Sequence, residues 1–286
     1  MVSTENESVM EPSDRSDAAV RELARRIRLH AVRMTGRAKS SHVASSMSMA
    51  EILAVLYRRI LQVCPETAAS PDRDRLILSK GHACAGLYAV LAECGFFPMA
   101  WLESFYIDGG KLAGHATAEG IPGVEVSTGS LGHGLPIACG LALAGKRDGR
   151  PYRVFALLSD GECDEGSNWE AALFAPHHQL DNLVVIVDYN KIQSLGDVKD
   201  VLDLEPFAAK WQAFRWAVRE VDGHDIDAVT KTLESTPFES GKPSCIIAHT
   251  VKGKGVSFME NKLLWHYRSP QGEEYQQAMT ELEAPT

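Results

Sequence analysis

Two short polar clusters hold the residues best suited to chemistry. Ser159-Asp160-Gly161-Glu162-Cys163-Asp164-Glu165-Gly166 comes directly after the apolar run Val154–Leu158, and Asp188-Tyr189-Asn190-Lys191-Ile192 closes the apolar run that starts at Leu183. A carboxylate oxygen and a carboxamide oxygen are hard ligands. Mg²⁺ accepts such oxygens in near-octahedral geometry and takes its remaining ligands from substrate phosphates, a backbone carbonyl and water. Should the two runs be neighbouring strands, Asp160 and Asn190 face one crevice, and together they describe a metal-bridged diphosphate site. Each piece alone has a plainer reading, because Asp-Gly is a common turn and Asn commonly follows a strand. An EF-hand is ruled out by Glu165, where the loop needs glycine, and by Ala171, where it needs a bidentate Glu. No Walker A sequence is present, and Gly132-His133-Gly134-Leu135-Pro136-Ile137 lacks the third glycine of a dinucleotide fingerprint.

The elements that must place these clusters follow from periodicity. Val154–Leu158, Leu183–Asp188 and Ser244–Ala248 read as buried strands, and they alternate with helical segments such as Ser167–Ala175 and Asp225–Leu233. That alternation predicts an α/β fold, a parallel sheet flanked by helices, in which ligands sit at the carboxyl ends of the strands. Upstream, Asp17 precedes a helical pattern carried by Val20, Leu23, Ile27, Val32 and Met34, with Gly36 as the expected stop. A second helix is expected from Met49 to Leu61, with Ile52, Leu53, Leu56 and Ile60 on one side. Residues 117 to 136, rich in Gly, Ser and Thr, are expected to be loop before a helix over Ile137–Ala144. Residues 1–14 are polar and read as a flexible arm, leaving 15–286 as one domain.

Composition excludes several partners. Of the 286 residues, 45% are hydrophobic and 23% charged, which suits a globular domain with a substantial core. A formal net charge of -9 argues against a nucleic-acid partner, since phosphate backbones are held by clustered Lys and Arg. No apolar run approaches the roughly 18 to 20 residues of a membrane span, and the N-terminus has neither a basic nor an apolar signal region. A cytoplasmic protein is expected. The six cysteines are scattered, without a C-x-x-C pair, and read as reduced, mostly buried thiols.

Asp160-Gly161, Glu165-Gly166 and the later Asn190 resemble the thiamine diphosphate and metal signature of transketolase, with Ser159 where the family usually opens on Gly. Further segments agree in order. Ala38-Lys39-Ser40-Ser41-His42 with Met47-Ser48-Met49-Ala50-Glu51-Ile52 resembles the first histidine segment of the family, although Ser41 replaces a common glycine. Asp72-Arg73-Asp74-Arg75 with Leu78-Ser79-Lys80-Gly81-His82 resembles the second, and Gly114-His115 the third. Ser127-Thr128-Gly129-Ser130-Leu131-Gly132 resembles the cofactor loop, and Asp222-Gly223-His224-Asp225 a segment beyond the metal site. Thr250-Val251-Lys252-Gly253-Lys254-Gly255 and Trp265-His266 resemble the end of this half in the split members of the family.

The resemblance implies a thiamine diphosphate-binding fold and a set of roles. Asp160, Asn190 and the Ile192 carbonyl would hold Mg²⁺ or another divalent cation. His82, Gly129, Ser130, Leu131, Gly161, Asn190 and His266 would line thiamine diphosphate. His42, His115 and His266 would serve catalysis, the first two facing substrate hydroxyls, and Glu165 would couple active sites across a subunit contact. Nothing after His266 is long enough for the pyrimidine-binding domain, whose glutamate protonates the cofactor, or for the third domain. A C-terminal transketolase-like partner subunit is therefore expected, in an α₂β₂ complex acting on sugar or aldehyde substrates. Two alternatives stand beside ketol transfer: a subunit of a 2-oxo acid decarboxylating, acyl-transferring enzyme, and a non-catalytic cofactor-binding scaffold.

Overall fold

Ser16 adopts extended backbone, and its hydroxyl accepts the Ala19 amide at 3.2 Å, so it caps the first helix, α1 (Asp17–Ala38). Val20, Leu23, Ala24, Ile27, Ala31 and Met34 recur at helical spacing along α1 and are buried. The computed structural model describes residues 14–284; of the expected arm over 1–14, all but Asp14 lies outside the described residues. Gly36 does not stop the helix. A Cβ there would lie 2.8 Å from the Tyr275 ring, so the glycine serves close packing, and the chain leaves the helix at Lys39, in left-handed backbone at φ 51°.

The helix expected from Met49 to Leu61 is present as an unbroken helical run from Ala50 to Ile60, which widens in its second half. The short α2 (Val43–Met47) precedes α3 (Ala50–Val55), and a wider π turn over Leu56–Ile60 follows. Ile52, Leu53, Leu56 and Ile60 are all buried, as their spacing requires, while Arg59 reaches Asp17 at 2.5 Å and Thr230 at 3.1 Å. Next come β1 (Arg75–Leu78), α4 (Cys84–Glu93), α5 (Gly134–Arg147), β2 (Val154–Ser159), α6 (Gly166–His177) and β3 (Leu183–Tyr189). The chain continues through α7 (Val198–Val201), α8 (Phe207–Ala213), β4 (Ala217–Asp222), α9 (Ile226–Glu234), β5 (Ser244–His249), α10 (Leu264–Tyr267) and α11 (Gly272–Glu283). Thus α5 starts inside the loop expected over 117 to 136.

All five strands are parallel, in the order β1-β2-β3-β5-β4. Successive side chains go to opposite faces and both faces are covered. Leu76, Leu78, Phe155, Leu157, Val184, Ile186, Ile246 and Ala248 join one core beneath α1, α3, α4 and α9. Ile77, Val154, Ala156, Leu158, Val185, Val187, Cys245 and Ile247 join the other beneath α5, α6 and α8. A smaller cluster, including Leu29, Val43, Met47, Trp265 and Met279, ties α1 and α2 to α10 and α11. This brings the end of the described chain back beside its beginning. Among the described residues no helix is long and apolar enough to cross a membrane.

Candidate active site

Each parallel strand from β1 to β3, together with β5, ends at one cavity of about 210 Å³. His82 comes from the turn after β1, Asp160 and Gly161 follow β2, Asn190 and Ile192 follow β3, and Lys252 follows β5. Adjacent pairing of β2 with β3 sets Ser159 opposite Asp188, which is why two clusters thirty residues apart in sequence meet. Asp160 accepts the Gly161 amide at 2.8 Å and the Lys191 amide at 2.5 Å; Asn190 Oδ1 accepts the Ile192 amide at 3.2 Å. These oxygens could hold a hard divalent cation. Burial pushes the Asp160 carboxyl up to about 6, with Asp188 adding to the shift and Lys252 opposing it. Ser159 ends β2, and its hydroxyl accepts the Glu162 amide at 3.3 Å, so serine is accommodated at the strand-to-loop turn.

Two lysines close the floor. Lys252 Nζ donates to the Ile192 carbonyl at 2.9 Å, and burial lowers its pKa to about 8. Lys80 donates to the Ser45 carbonyl at 3.0 Å and pairs with Asp188, both side chains being fully buried. Asp188 also accepts the Ser48 hydroxyl at 2.6 Å and the Thr250 hydroxyl. Burial works against the Asp188 charge, but Lys80 and these hydroxyls outweigh it and hold the carboxyl below its usual range.

Histidines form the opposite wall. The His42 ring lies 4.9 Å from His82, 4.9 Å from His266 and 6.3 Å from His115, centroid to centroid, and His82 lies 5.8 Å from His266. His42 stands in left-handed backbone at φ 72°, fixed by its amide donating to the His266 carbonyl at 2.9 Å. Such a conformation is costly for a non-glycine residue and persists where the surroundings over-determine it. Burial lowers His42 to about 4 and His266 to about 3, with neighbouring histidines and lysines adding to the shift, and takes His82 well below its usual value. Neutral imidazoles result, and the Nδ1 atoms of His42 and His266 are enclosed without a hydrogen-bond partner among the described residues.

Residues 19–282 match the family described as transketolase, thiamine diphosphate binding domain. The chain belongs to that family. It is 46% identical over 241 residues to an apulose-4-phosphate transketolase subunit of Actinobacillus succinogenes, covering 84% of this chain and 87% of that one. It is 42% identical over 248 residues to a 6-deoxy-6-sulfo-D-fructose transketolase subunit of a Clostridium species, covering 87% and 90%. Transketolase from Leishmania mexicana superposes with a TM-score of 0.86 at 30% identity, covering 92% of this chain and 41% of that structure. The chain thus spans about two fifths of the solved transketolase but most of the subunits that bear a transketolase name.

Of the residues that the family resemblance singles out, His42, His82, His115, Gly129, Leu131, Asp160, Gly161, Asn190, Ile192 and His266 line the cavity together. Ser130 lies between two lining residues but is itself exposed and outside the lining. Glu165 is also outside it, exposed at the start of α6. Lys80 and Lys252 fall within motifs that give them no role, and the structure brings both to the floor. Neither has a signal of its own in the sequence: the run before Lys80 is too short to announce a strand, and Lys252 stands four residues beyond the run Ser244–Ala248.

Proposed function

We propose that this chain is the N-terminal, cofactor diphosphate-binding subunit of a heteromeric transketolase. With its partner it transfers a two-carbon ketol unit from a ketose donor to an aldehyde or aldose acceptor. One observation carries the reading: oxygen donors, two lysines and four histidines converge in a single cavity at the carboxyl ends of the strands. The names of the 46% and 42% identical relatives favour ketol transfer over acyl transfer from a 2-oxo acid and over a scaffold without catalysis.

In this reading Asp160, Asn190 and the Ile192 carbonyl hold Mg²⁺ or another divalent cation. The donor set suits the ion, because a dication offsets the crowding of Asp160 against Asp188 that burial aggravates. His82, Gly129, Leu131, Gly161, Asn190 and His266 line thiamine diphosphate, with Ser130 at the outer edge of the same loop, and Lys80 and Lys252 set positive charge at the diphosphate end. Bound there, the cofactor supplies a nucleophilic carbon and a sink for the electron pair released when a carbon–carbon bond breaks. His42 and His266, neutral through burial, each offer one donor and one acceptor nitrogen. They can hold a substrate hydroxyl or pass a proton without first losing one to water. His115, at the exposed rim, hydrogen-bonds the substrate.

Residues 15–286 form one thiamine diphosphate-binding domain, and the partner carries the pyrimidine-binding domain with its glutamate. Two copies of each chain make an α₂β₂ complex. The segment 117–130 and the start of α6 at Glu165 belong to the contact surface. Exposed Leu173 and Phe174 on the same helix support that placement. The six cysteines, all free, suit a cytoplasmic enzyme. The test is co-expression with a candidate C-terminal subunit, mass-resolved chromatography, and a ketol-transfer assay over a panel of ketose donors and aldehyde acceptors. Activity is expected only from the complex. Full-rate transfer by the isolated chain would overturn the two-subunit reading.

A further inference from the structure

Asp222-Gly223-His224-Asp225 lies outside the cavity, yet its bonds lead to it. Asp222 pairs in register with His249 at the end of β5, and the Gly223 amide donates to the His249 carbonyl at 2.8 Å. A Cβ at Gly223 would come within 2.5 Å of Thr250 Cγ2, so glycine is what lets the two strand ends approach. Held there, the His224 ring makes two opposite bonds. Its Nδ1 lies 2.9 Å from Glu51 Oε2, and its Nε2 faces the Val251 amide at 2.8 Å. A backbone amide can only donate, so Nε2 must accept, and the proton sits on Nδ1, donated to Glu51.

Glu51 is fixed in turn. Arg28 pairs with it at 2.6 Å and donates to the Met47 carbonyl at 3.2 Å. Burial disfavours the Glu51 charge, but Arg28 and His224 outweigh it and hold the carboxyl down to about 2. A chain of contacts therefore runs from α1 through α3 to the loop after β5.

That loop bears Lys252. Its Thr250 amide donates to the Tyr189 carbonyl at 3.2 Å, and the Asn261 amide donates to the Lys252 carbonyl at 2.9 Å. Between those anchors the Val251 amide has His224 Nε2 as its one partner among the described residues. We infer that His224 is a positioning residue for the cofactor site: in its Nδ1–H tautomer it orients the Val251 peptide and so aims Lys252 into the diphosphate end of the cavity. The inference rests on the cavity being the thiamine diphosphate site.

The test compares His224→Asn with His224→Gln in the full chain. The glutamine amide oxygen can occupy the place of Nε2 and accept from Val251, whereas asparagine reaches only the place of Nδ1. Two quantities are read: hydrogen exchange of the Val251 amide, and calorimetric affinity for thiamine diphosphate with Mg²⁺. In His224→Asn the exchange is expected to speed up, and the affinity to fall, by about tenfold each, the worth of one net hydrogen bond. In His224→Gln both should stay within about threefold of the unaltered chain. Unchanged exchange and affinity in His224→Asn, or equal losses in both variants, would overturn the inference. Should His224→Asn fail to fold, ¹⁵N-histidine NMR of the unaltered chain decides, since a proton on Nε2 is incompatible with the Val251 bond. A complex of the unaltered chain with its partner subunit that fails to bind thiamine diphosphate would count against the proposed function, and the exchange comparison would still judge the role of His224.

Discussion

Removing the positive charge beneath the cavity by Lys80→Met should cost more than any surface change. Lys80 and Asp188 are both 0% exposed, so the variant leaves a buried carboxylate with the Ser48 and Thr250 hydroxyls, the distant Asn190 amide at 3.5 Å and the charge of Lys252 to compensate it. Breaking a buried ion pair in this way costs about 3–5 kcal/mol. Native domains are stable by only about 5–15 kcal/mol, so the loss is a large share of the total. At roughly 2–4 °C per kcal/mol for a chain of this size, the melting temperature should fall by about 6–20 °C. Lys80→Met/Asp188→Asn removes both charges and should lose less than the sum of its single variants, with a coupling of about 2 kcal/mol or more. Urea and thermal unfolding of the four proteins measure the cycle. A Lys80→Met chain within about 1 kcal/mol of the unaltered one, or strict additivity in the pair, would refute the reasoning.

Three further outcomes follow from the site. Asp160→Ala and Asn190→Ala should each weaken binding of thiamine diphosphate with Mg²⁺ by more than the roughly tenfold to hundredfold that losing a ligand's supporting partner costs, with the fold intact; calorimetric titration and far-UV dichroism check this. His115→Ala in the reconstituted complex should lower kcat by about 10²–10⁴ while cofactor affinity stays put, and a change confined to affinity would place His115 on the wrong ligand. Acid should destabilise the fold through the buried histidines. His42 and His266 have folded pKa values of about 4 and about 3, below the unfolded value near 6.5, so from pH 6.5 downward the unfolded chain takes up protons that the folded chain does not. They cost nothing above pH 6.5, and stability falls by up to about 1.4 kcal/mol per pH unit per histidine until the folded values are reached. Melts at pH 7.5 and 5.5 should show the drop, and His42→Asn should flatten part of it; a profile flat in both proteins would contradict the burial assigned to these rings.

Local pattern was enough for the elements whose burial is complete. Val154–Leu158 and Leu183–Asp188 read as strands because both faces are covered, so every position but the terminal Asp188 is apolar, and each differs from the observed strand by one residue at its end. In β4, by contrast, only Ala217 and Val221 are buried while Arg219 and Glu220 are exposed; pairing with β5 makes it a strand, and no apolar run advertises that. The four residues of β1 are likewise too few to signal a strand without β2 beside them. Gly36 shows the same limit, since its role is set by Tyr275, far along the chain, and local propensity offered only a helix stop.

The chemistry of the site divides in the same way. Asp160 and Asn190 were legible because residue type and a strand end together state what they can bind. The histidines announced themselves by motif, but their neutrality did not, because it comes from the burial and mutual approach of rings contributed by segments as distant as His42 and His266. Lys80 with Asp188, and His224 with Glu51 and Val251, had no signal of their own. The cost of a buried charge and the tautomer of an imidazole depend on what surrounds the group in space. For this chain those surroundings exist only once β1, β3, β4 and β5 lie side by side, and that arrangement belongs to the tertiary structure alone.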